Sequence, residues 1–366
     1  MKQILKILGF NIFFLIIGII FIEIFFGKWF YKSNYGSLLI PNYSISVINQ
    51  PYYDKDKTYI HSWDKNGFRA NDYNLNEIDI LVIGGSTTAE KFIDDNHIWT
   101  KVFERQIEKK TKFKVLNAGI GGQTVYGHNN MFDLWFSNHI ELSPKYIFVY
   151  LGINDAIKVH ENVLKNILEI KDDNYSRIRN DNLESNSSKK QIIQYIKNNS
   201  AFHLLYLIIR SSYITSKYNI NNPNSIKLFD NNIISENVEM KSTNEELDFE
   251  KRKVLENFLP LYEKNMISIV KEAKNLSAEP IFITNLLPSD KNTYPYTKVL
   301  SKYLDLINDS TIKTCRKLNI VCFDLRNQVN LITEVDFYDP IHTTPKGSAK
   351  VGKLISKQFL NYLDKN

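Results

Sequence analysis

Along the 366-residue chain the apolar positions change rhythm twice. From Ile7 to Phe26 almost every position is apolar, with Asn11 and Glu23 as the exceptions. About 20 helical residues cross the hydrocarbon core of a bilayer, so this run predicts one transmembrane helix. From residue 79 onward the pattern is different. Short continuous apolar runs at 79–84, 113–118, 145–151, 279–286 and 320–325 read as strands buried on both faces. Between and after them, the stretches at about 97–110, 127–138, 248–276, 296–317 and 345–363 carry apolar residues at helical spacing. Such alternation argues for right-handed βαβ crossovers. The expected fold class is therefore α/β, a three-layer α/β/α sandwich with a mainly parallel five-stranded sheet, preceded by the N-terminal membrane helix.

Two regions break the rhythm. The stretch 28–75, rich in Tyr, Asn and Asp, reads as a stalk leading from the membrane. The segment 157–250 reads as an insertion. Its flanks, 171–190 and 217–247, are rich in Asn, Ser, Asp and Lys and predict long loops or partial disorder. Between them, 191–215 predicts an amphipathic helix ending in FHLLYLII, too short to cross a bilayer. That helix either packs on the domain, or serves as a lid or a contact with the membrane surface. The expected division is a cytoplasmic N-terminus at 1–6, a signal-anchor at 7–26, a stalk at 27–77 and one domain at 78–366.

A cleavable signal peptide is the competing reading of the first apolar run, but it requires a shorter core and small residues before the cut. Phe25, Phe26 and Trp29 occupy that region, which favours an uncleaved anchor. Lys2 and Lys6 precede the run while Lys28 and Lys32 follow it, so the positive-inside bias is weak. A single-pass protein with its large domain outside the cytoplasm is the expectation. The net charge of +6 is spread through lysine-rich helices without a dominant basic block, and no nucleic-acid motif is present. Cys315 falls on a predicted helix and Cys322 in a buried strand, which favours two free core thiols over a pair.

The chemistry is concentrated in four short segments: LVIGGSTTAE (81–90), LNAGIGGQ (116–123), VYLGINDA (149–156) and YDPIHTTPKG (338–347). In the first, a buried strand ends in Gly84-Gly85 and a helix begins near Thr88, leaving Ser86 at the carboxyl end of a strand, where open α/β sheets bind ligands. Read alone, Ser86 serves equally well as a helix N-cap. A serine nucleophile needs a base and a group that orients the base, and His342 and Asp339 supply both. Gly119 and Asn154 follow the next two strands and suit the donors of an oxyanion hole, although turn chemistry alone explains each of them.

Together these blocks resemble those of the SGNH hydrolases, the GDSL-type esterases and lipases. The Gly-Asp-Ser-type turn is Gly84-Gly85-Ser86, the second-block glycine is Gly119, Gly-x-Asn-Asp is Gly152-Ile153-Asn154-Asp155, and Asp-x-x-His is Asp339-Pro340-Ile341-His342. NGFRAND (66–72) is similar to a segment preceding the catalytic strand in membrane-anchored bacterial members. The resemblance spans roughly 78–364 and implies a flavodoxin-like SGNH fold. It implies Ser86 as nucleophile, His342 as general base and Asp339 as its orienter, with Ser86 N–H, Gly119 N–H and the Asn154 amide as the oxyanion hole. Gly85 departs from the family's usual aspartate.

The resemblance further implies removal or transfer of O-acetyl groups on an extracytoplasmic polysaccharide or cell-wall glycan, with lipid or small-ester hydrolysis as the alternative. Transfer would imply a multi-span membrane partner that delivers the acyl group. No cofactor and no metal is expected: HExxH and Cys-x-x-Cys are absent, and GGSTT lacks the ending of a phosphate loop. His128 and His160 lie near motif loops, where they line the pocket or sit on the surface. The rival classes are an inactive glycan-binding module, suggested by Gly85, and an assembly protein working through 157–250.

Overall fold

The computed structural model describes residues 2–27, 41–48, 57–167, 244–290 and 295–365, together with 29, 39, 53, 54, 196, 200–203, 205 and 206. The predicted loop at 171–190 lies outside the described residues, as do most of the helix expected in 191–215 and all of the loop expected at 217–247 except 244–247, which are helical.

Helix α1, Lys2–Phe26, is long and apolar enough to cross a membrane, and the apolar stretch Gly9–Phe26 is not buried within the protein. A short antiparallel hairpin follows, β1 (Tyr43–Ile48) paired with β2 (Thr58–Trp63).

The main sheet holds β3 (Ile80–Gly84), β4 (Val115–Gly119), β5 (Tyr146–Leu151), β6 (Glu279–Thr284) and β7 (Val321–Phe323). All its pairings are parallel and the spatial order is β4-β3-β5-β6-β7. Each strand alternates its side chains between two buried faces, which is why the strands read as continuous apolar runs. Leu81 and Ile83 of β3 join Ile147, Val149 and Leu151 of β5 in one core, whereas Ile80, Val82, Phe148 and Tyr150 join the other.

The first core is covered by α4 (Val125–Leu134), α5 (Ile153–Ile167), α6 (Asn244–Asn275) and α7 (Pro295–Leu318). The second lies under α3 (Trp99–Thr111) and α8 (Pro345–Leu363), which pack on each other. A one-turn helix, α2 (Ser86–Ala89), follows β3 directly. The three-layer sandwich expected from the sequence is thus present. Because β4 and β5 flank β3 on opposite sides, the chain changes direction at the carboxyl end of β3. That switch point is where such sheets open a crevice, and Ser86 stands in it.

Two expectations are corrected. Residues 58–77 do not form a free stalk. Phe68 is buried with its ring stacked on Trp135 at 4.4 Å, and Arg69 N–H donates to Asn117 O at 2.9 Å, so this segment lies along the outer edge of β4. An apolar and a cationic residue inside a polar-looking stretch gave this packing too weak a periodic signal to see.

The cysteines are also not free thiols. α7 ends at Leu318, the chain reverses at Asn319 with φ 51°, and β7 starts at Val321. This tight return brings the Cα atoms of Cys315 and Cys322 to 6.1 Å, within disulfide reach, and the two are bonded.

Candidate active site

Ser86 opens α2, one residue after the N-cap Gly85, and is half-buried. It is therefore not the N-cap itself. Its Oγ lies 2.8 Å from His342 Nε2, and His342 Nδ1 lies 2.6 Å from Asp339 Oδ2. The second oxygen of Asp339 accepts the backbone N–H groups of Ile341 (2.9 Å) and His342 (2.7 Å). The carboxylate is thereby fixed by its own loop, and its remaining oxygen faces the ring nitrogen. Asp339 is buried, so the charge it offers the imidazole is poorly screened by water. The ring of Tyr338 lies nearly parallel to that of His342, 9° between planes and 5.7 Å between centroids.

A helix of one turn cannot satisfy all of its own carbonyls. Ser86 O accepts Glu90 N–H within the turn (2.9 Å), and the other three carbonyls of α2 are taken by three other elements: Trp99 Nε1 donates to Thr87 O (3.0 Å), Asn117 Nδ2 to Thr88 O (2.8 Å) and Arg69 Nε to Ala89 O (3.1 Å). Arg69 also donates to Ile93 O and Ser62 O and is ion-paired with Asp95, while its guanidinium lies over the Trp63 ring. Sequence reading took NGFRAND for part of the stalk. It is a clamp on α2, the helix that Ser86 opens.

The oxyanion donors need one correction. The N–H of Gly119 donates to Asn117 Oδ1 at 2.8 Å and has no proton left for substrate. Gly119 is instead a close-packing position, since a Cβ there would come within 2.3 Å of Ala89 N in α2. Three glycines lie in the tetrad 119–122, and sequence alone does not say which one faces the nucleophile. Gly122, at φ 77°, forms the turn beside Ser86, and the neighbouring Gly121 would place a Cβ 3.9 Å from Ser86 Cβ.

Asn154, in the first turn of α5, donates to Gln123 O at 2.9 Å, which fixes one amide proton and leaves the other to point elsewhere. Asp155, the last member of the same motif, accepts the N–H of Val125 (3.1 Å) at the start of α4. The Gly-x-Asn-Asp block thus holds the 121–124 turn from two sides.

Gly85 has a physical reason to lack a side chain. A Cβ at this position would meet Asn154 Nδ2 at 2.5 Å. The obstructing atom is the end of a side chain, so Gly85→Ala should fold normally while pushing the amide aside. We expect kcat/KM on p-nitrophenyl acetate to fall about tenfold or more with little change in melting temperature. Steady-state kinetics beside a thermal melt checks this. Unchanged kinetics would remove Asn154 from the site.

Glu90, missed by sequence reading, ends α2 in a left-handed conformation (φ 42°) and is buried. Its carboxylate accepts Trp99 N–H (2.6 Å), Thr343 Oγ (2.7 Å) and Ser348 Oγ (2.9 Å). It ties α2 to α3 and to the residue after His342. Burial pushes its pKa up from 4.5 to about 7, although its hydrogen bonds oppose the shift. The native state therefore holds this proton more tightly than the unfolded chain. The contribution to stability is full at pH below 4.5 and is lost as pH rises through 7. Relative to Glu90→Gln, the wild type should lose stability across that window by at most about 1.4 kcal/mol per pH unit and stay level above it. Urea melts as a function of pH measure the slope, and parallel curves would refute the assignment.

His128 and His160 do not line an open pocket. Both are buried, His160 against the ring of Tyr303 at 5.3 Å, and burial lowers their pKa values to about 3 and 4. Among the described residues, no group of three or more His, Cys, Asp or Glu side chains is placed to hold a metal ion.

No family model and no curated protein matches the chain. Among solved structures, similar folds include the psychrotrophic esterase EstA from Pseudoalteromonas sp., at 11% identity and TM-score 0.43, covering 78% of this chain and 98% of that one. A member of the lipolytic protein G-D-S-L family from Veillonella parvula matches at 11% identity and TM-score 0.40, covering 77% and 98%. The acetyl xylan esterase AlAXEase matches at 12% identity and TM-score 0.39, covering 77% and 99%. These neighbours are esterases and GDSL-type lipolytic proteins.

Proposed function

We propose that the chain is an SGNH-type serine ester hydrolase, held to a membrane by α1, that removes O-acetyl groups from an extracytoplasmic glycan. The observation that carries the chemistry is the continuous line from Asp339 Oδ2 through His342 to Ser86 Oγ, with links of 2.6 and 2.8 Å.

In this mechanism Ser86 Oγ attacks the ester carbonyl carbon as His342 Nε2 takes its proton, and Asp339 stabilises the resulting imidazolium. The oxyanion is met by the N–H groups of Ser86 and Gly122 and by the second proton of the Asn154 amide. His342 returns the proton to the departing alcohol oxygen. Water then attacks the acyl-enzyme with His342 again as base, releasing the carboxylic acid and restoring Ser86. Because Ser86 is half-exposed, water reaches the acyl-enzyme, which favours hydrolysis over transfer and needs no acyl-donor partner.

The glycan is supported by a ledge of aromatic surface beside the site. Phe92 is 46% exposed, and its ring meets that of Tyr338 edge-on at 6.3 Å. A flat aromatic face suits the apolar face of a sugar ring. Phe92→Ala should raise KM for an acetylated oligosaccharide several-fold with a smaller effect on kcat. An equal loss in both would assign Phe92 to packing. The Cys315–Cys322 bond supports an oxidising, extracytoplasmic location.

The deciding test is intact-mass spectrometry of the protein after brief incubation with p-nitrophenyl acetate. An acetyl adduct that maps to Ser86 and is absent from Ser86→Ala and His342→Ala supports the mechanism. A folded protein that forms no adduct and releases no nitrophenol overturns it.

A further inference from the structure

The carboxylate of Glu23 sits in the last two turns of α1, which is apolar from Ile7 onward but for Asn11, and an unpartnered charge there would oppose membrane insertion. It is not unpartnered. Glu23 accepts Trp29 Nε1 at 2.8 Å, Ser200 Oγ at 2.6 Å, and the backbone N–H groups of Ala201 at 2.9 Å and Phe202 at 3.4 Å. Three of these four donors come from a part of the chain some 177 residues away, inside the insertion. They are hydroxyl and N–H groups at the start of a helical segment, whose first amides have no partner within the helix itself. Glu23 therefore caps the segment, and the segment in turn satisfies the acid that the membrane helix carries.

What the segment does with its side chains follows from its spacing. Ala201 is buried, whereas Phe202, Leu205 and Tyr206, at i, i+3 and i+4, are 42%, 50% and 53% exposed. This is one apolar helical face turned away from the protein. It adjoins the end of α1, where Phe25 and Phe26 are 66% and 69% exposed. The two apolar surfaces are joined at Glu23, at the depth where the membrane helix leaves the hydrocarbon. Phe and Leu with a Tyr suit the boundary between headgroups and acyl chains.

We propose that the segment carrying Ser200, Ala201 and Phe202 is held on the membrane helix by Glu23 and presents Phe202, Leu205 and Tyr206 to the lipid of the bilayer that α1 crosses. The catalytic domain would then have two attachments to the membrane, one through the chain that follows α1 and one through the insertion. The inference rests on α1 as a membrane span and is independent of the ester chemistry.

The test uses the full-length protein in nanodiscs of phosphatidylethanolamine and phosphatidylglycerol, spin-labelled singly through Phe202→Cys, Leu205→Cys, Phe25→Cys or, on exposed α3, Lys109→Cys. Power-saturation spectra compare accessibility to oxygen, which partitions into lipid, with accessibility to a water-soluble nickel chelate. The expected oxygen-to-nickel ratio at 202 and 205 is several-fold above that at 109 and approaches that at 25. Adding Glu23→Ala should return 202 and 205 to the level of 109 and leave 25 unchanged. Lipid contact at 25 but not at 202 or 205 overturns the proposal with the span intact. Contact at none of the three removes the span and the proposal together, and ratios at 202 and 205 unmoved by Glu23→Ala overturn the tether. Retained acetylation of Ser86 in each variant keeps a failure here separate from a failure of the hydrolase assignment.

Discussion

Ser86→Ala should lower kcat on p-nitrophenyl acetate by roughly a millionfold, the loss expected when a serine nucleophile is removed from a complete relay. His342→Ala should cost about as much. The double variant should be no worse than either, because the two residues act as one unit. Asp339→Asn should cost roughly ten-thousandfold, since an amide in place of the carboxylate disturbs the His342 tautomer that receives the serine proton. The same variants should keep their melting temperatures close to wild type, as Ser86 and His342 are only half-buried. Activity and stability measured on the same preparations separate the two effects. A Ser86→Ala protein that keeps more than about a hundredth of the wild-type kcat on p-nitrophenyl acetate would assign the chemistry to another group.

The largest loss of stability is expected at a residue remote from the reacting atoms. Arg69→Ala should destabilise the protein by about 3–5 kcal/mol, the range for breaking a buried ion pair from one side. Its side chain is fully buried and that of Asp95 is 16% exposed, so the variant leaves a carboxylate with little water, no cation and only the N–H and hydroxyl of Ser62 as donors. It also strips a donor from Ala89 O, at the end of the helix that starts with Ser86. Activity should therefore fall in the protein that remains folded. Lys110 and Asp364 form an exposed pair on the surface, and Lys110→Ala should change stability very little. Denaturant titration of both variants makes the comparison. Equal small effects would mean that the Arg69 network contributes no net stability.

The parts of this fold that were legible in the sequence are those whose signal is local. β3, β5 and β6 are buried on both faces and so appear as unbroken apolar runs, and α3, α7 and α8 show their apolar stripe. The Ser86, Asp339 and His342 grouping was legible because four motif blocks occur in one order, although only tertiary structure brings positions 86 and 342 to 2.8 Å. What escaped was set by partners distant in sequence. Gly119 was taken for a donor because nothing in NAGIGG announces that the Asn117 side chain turns back onto its N–H. The hairpin at 43–63 escaped because β1 is exposed along almost its whole length and carries no period-two burial signal. Nothing in LVIGGSTTAE marks Glu90, on which three donors from separate elements converge.

Ser86 and His342 are separated by 256 positions, and the loop carrying Asp339 and His342 runs straight into α8, whose N-cap Thr344 accepts Gly347 N–H. α8 packs on α3 and is the last element of the described chain. Ser86 follows the first strand of the main sheet and His342 precedes α8, so the pair depends on the ordering of the elements between them. Contacts of such long sequence separation form late, because the intervening chain must first be ordered. In the proposed mechanism, a chain whose α8 has not yet docked would therefore lack the base that Ser86 needs, and ester hydrolysis would report the docking of this nineteen-residue helix.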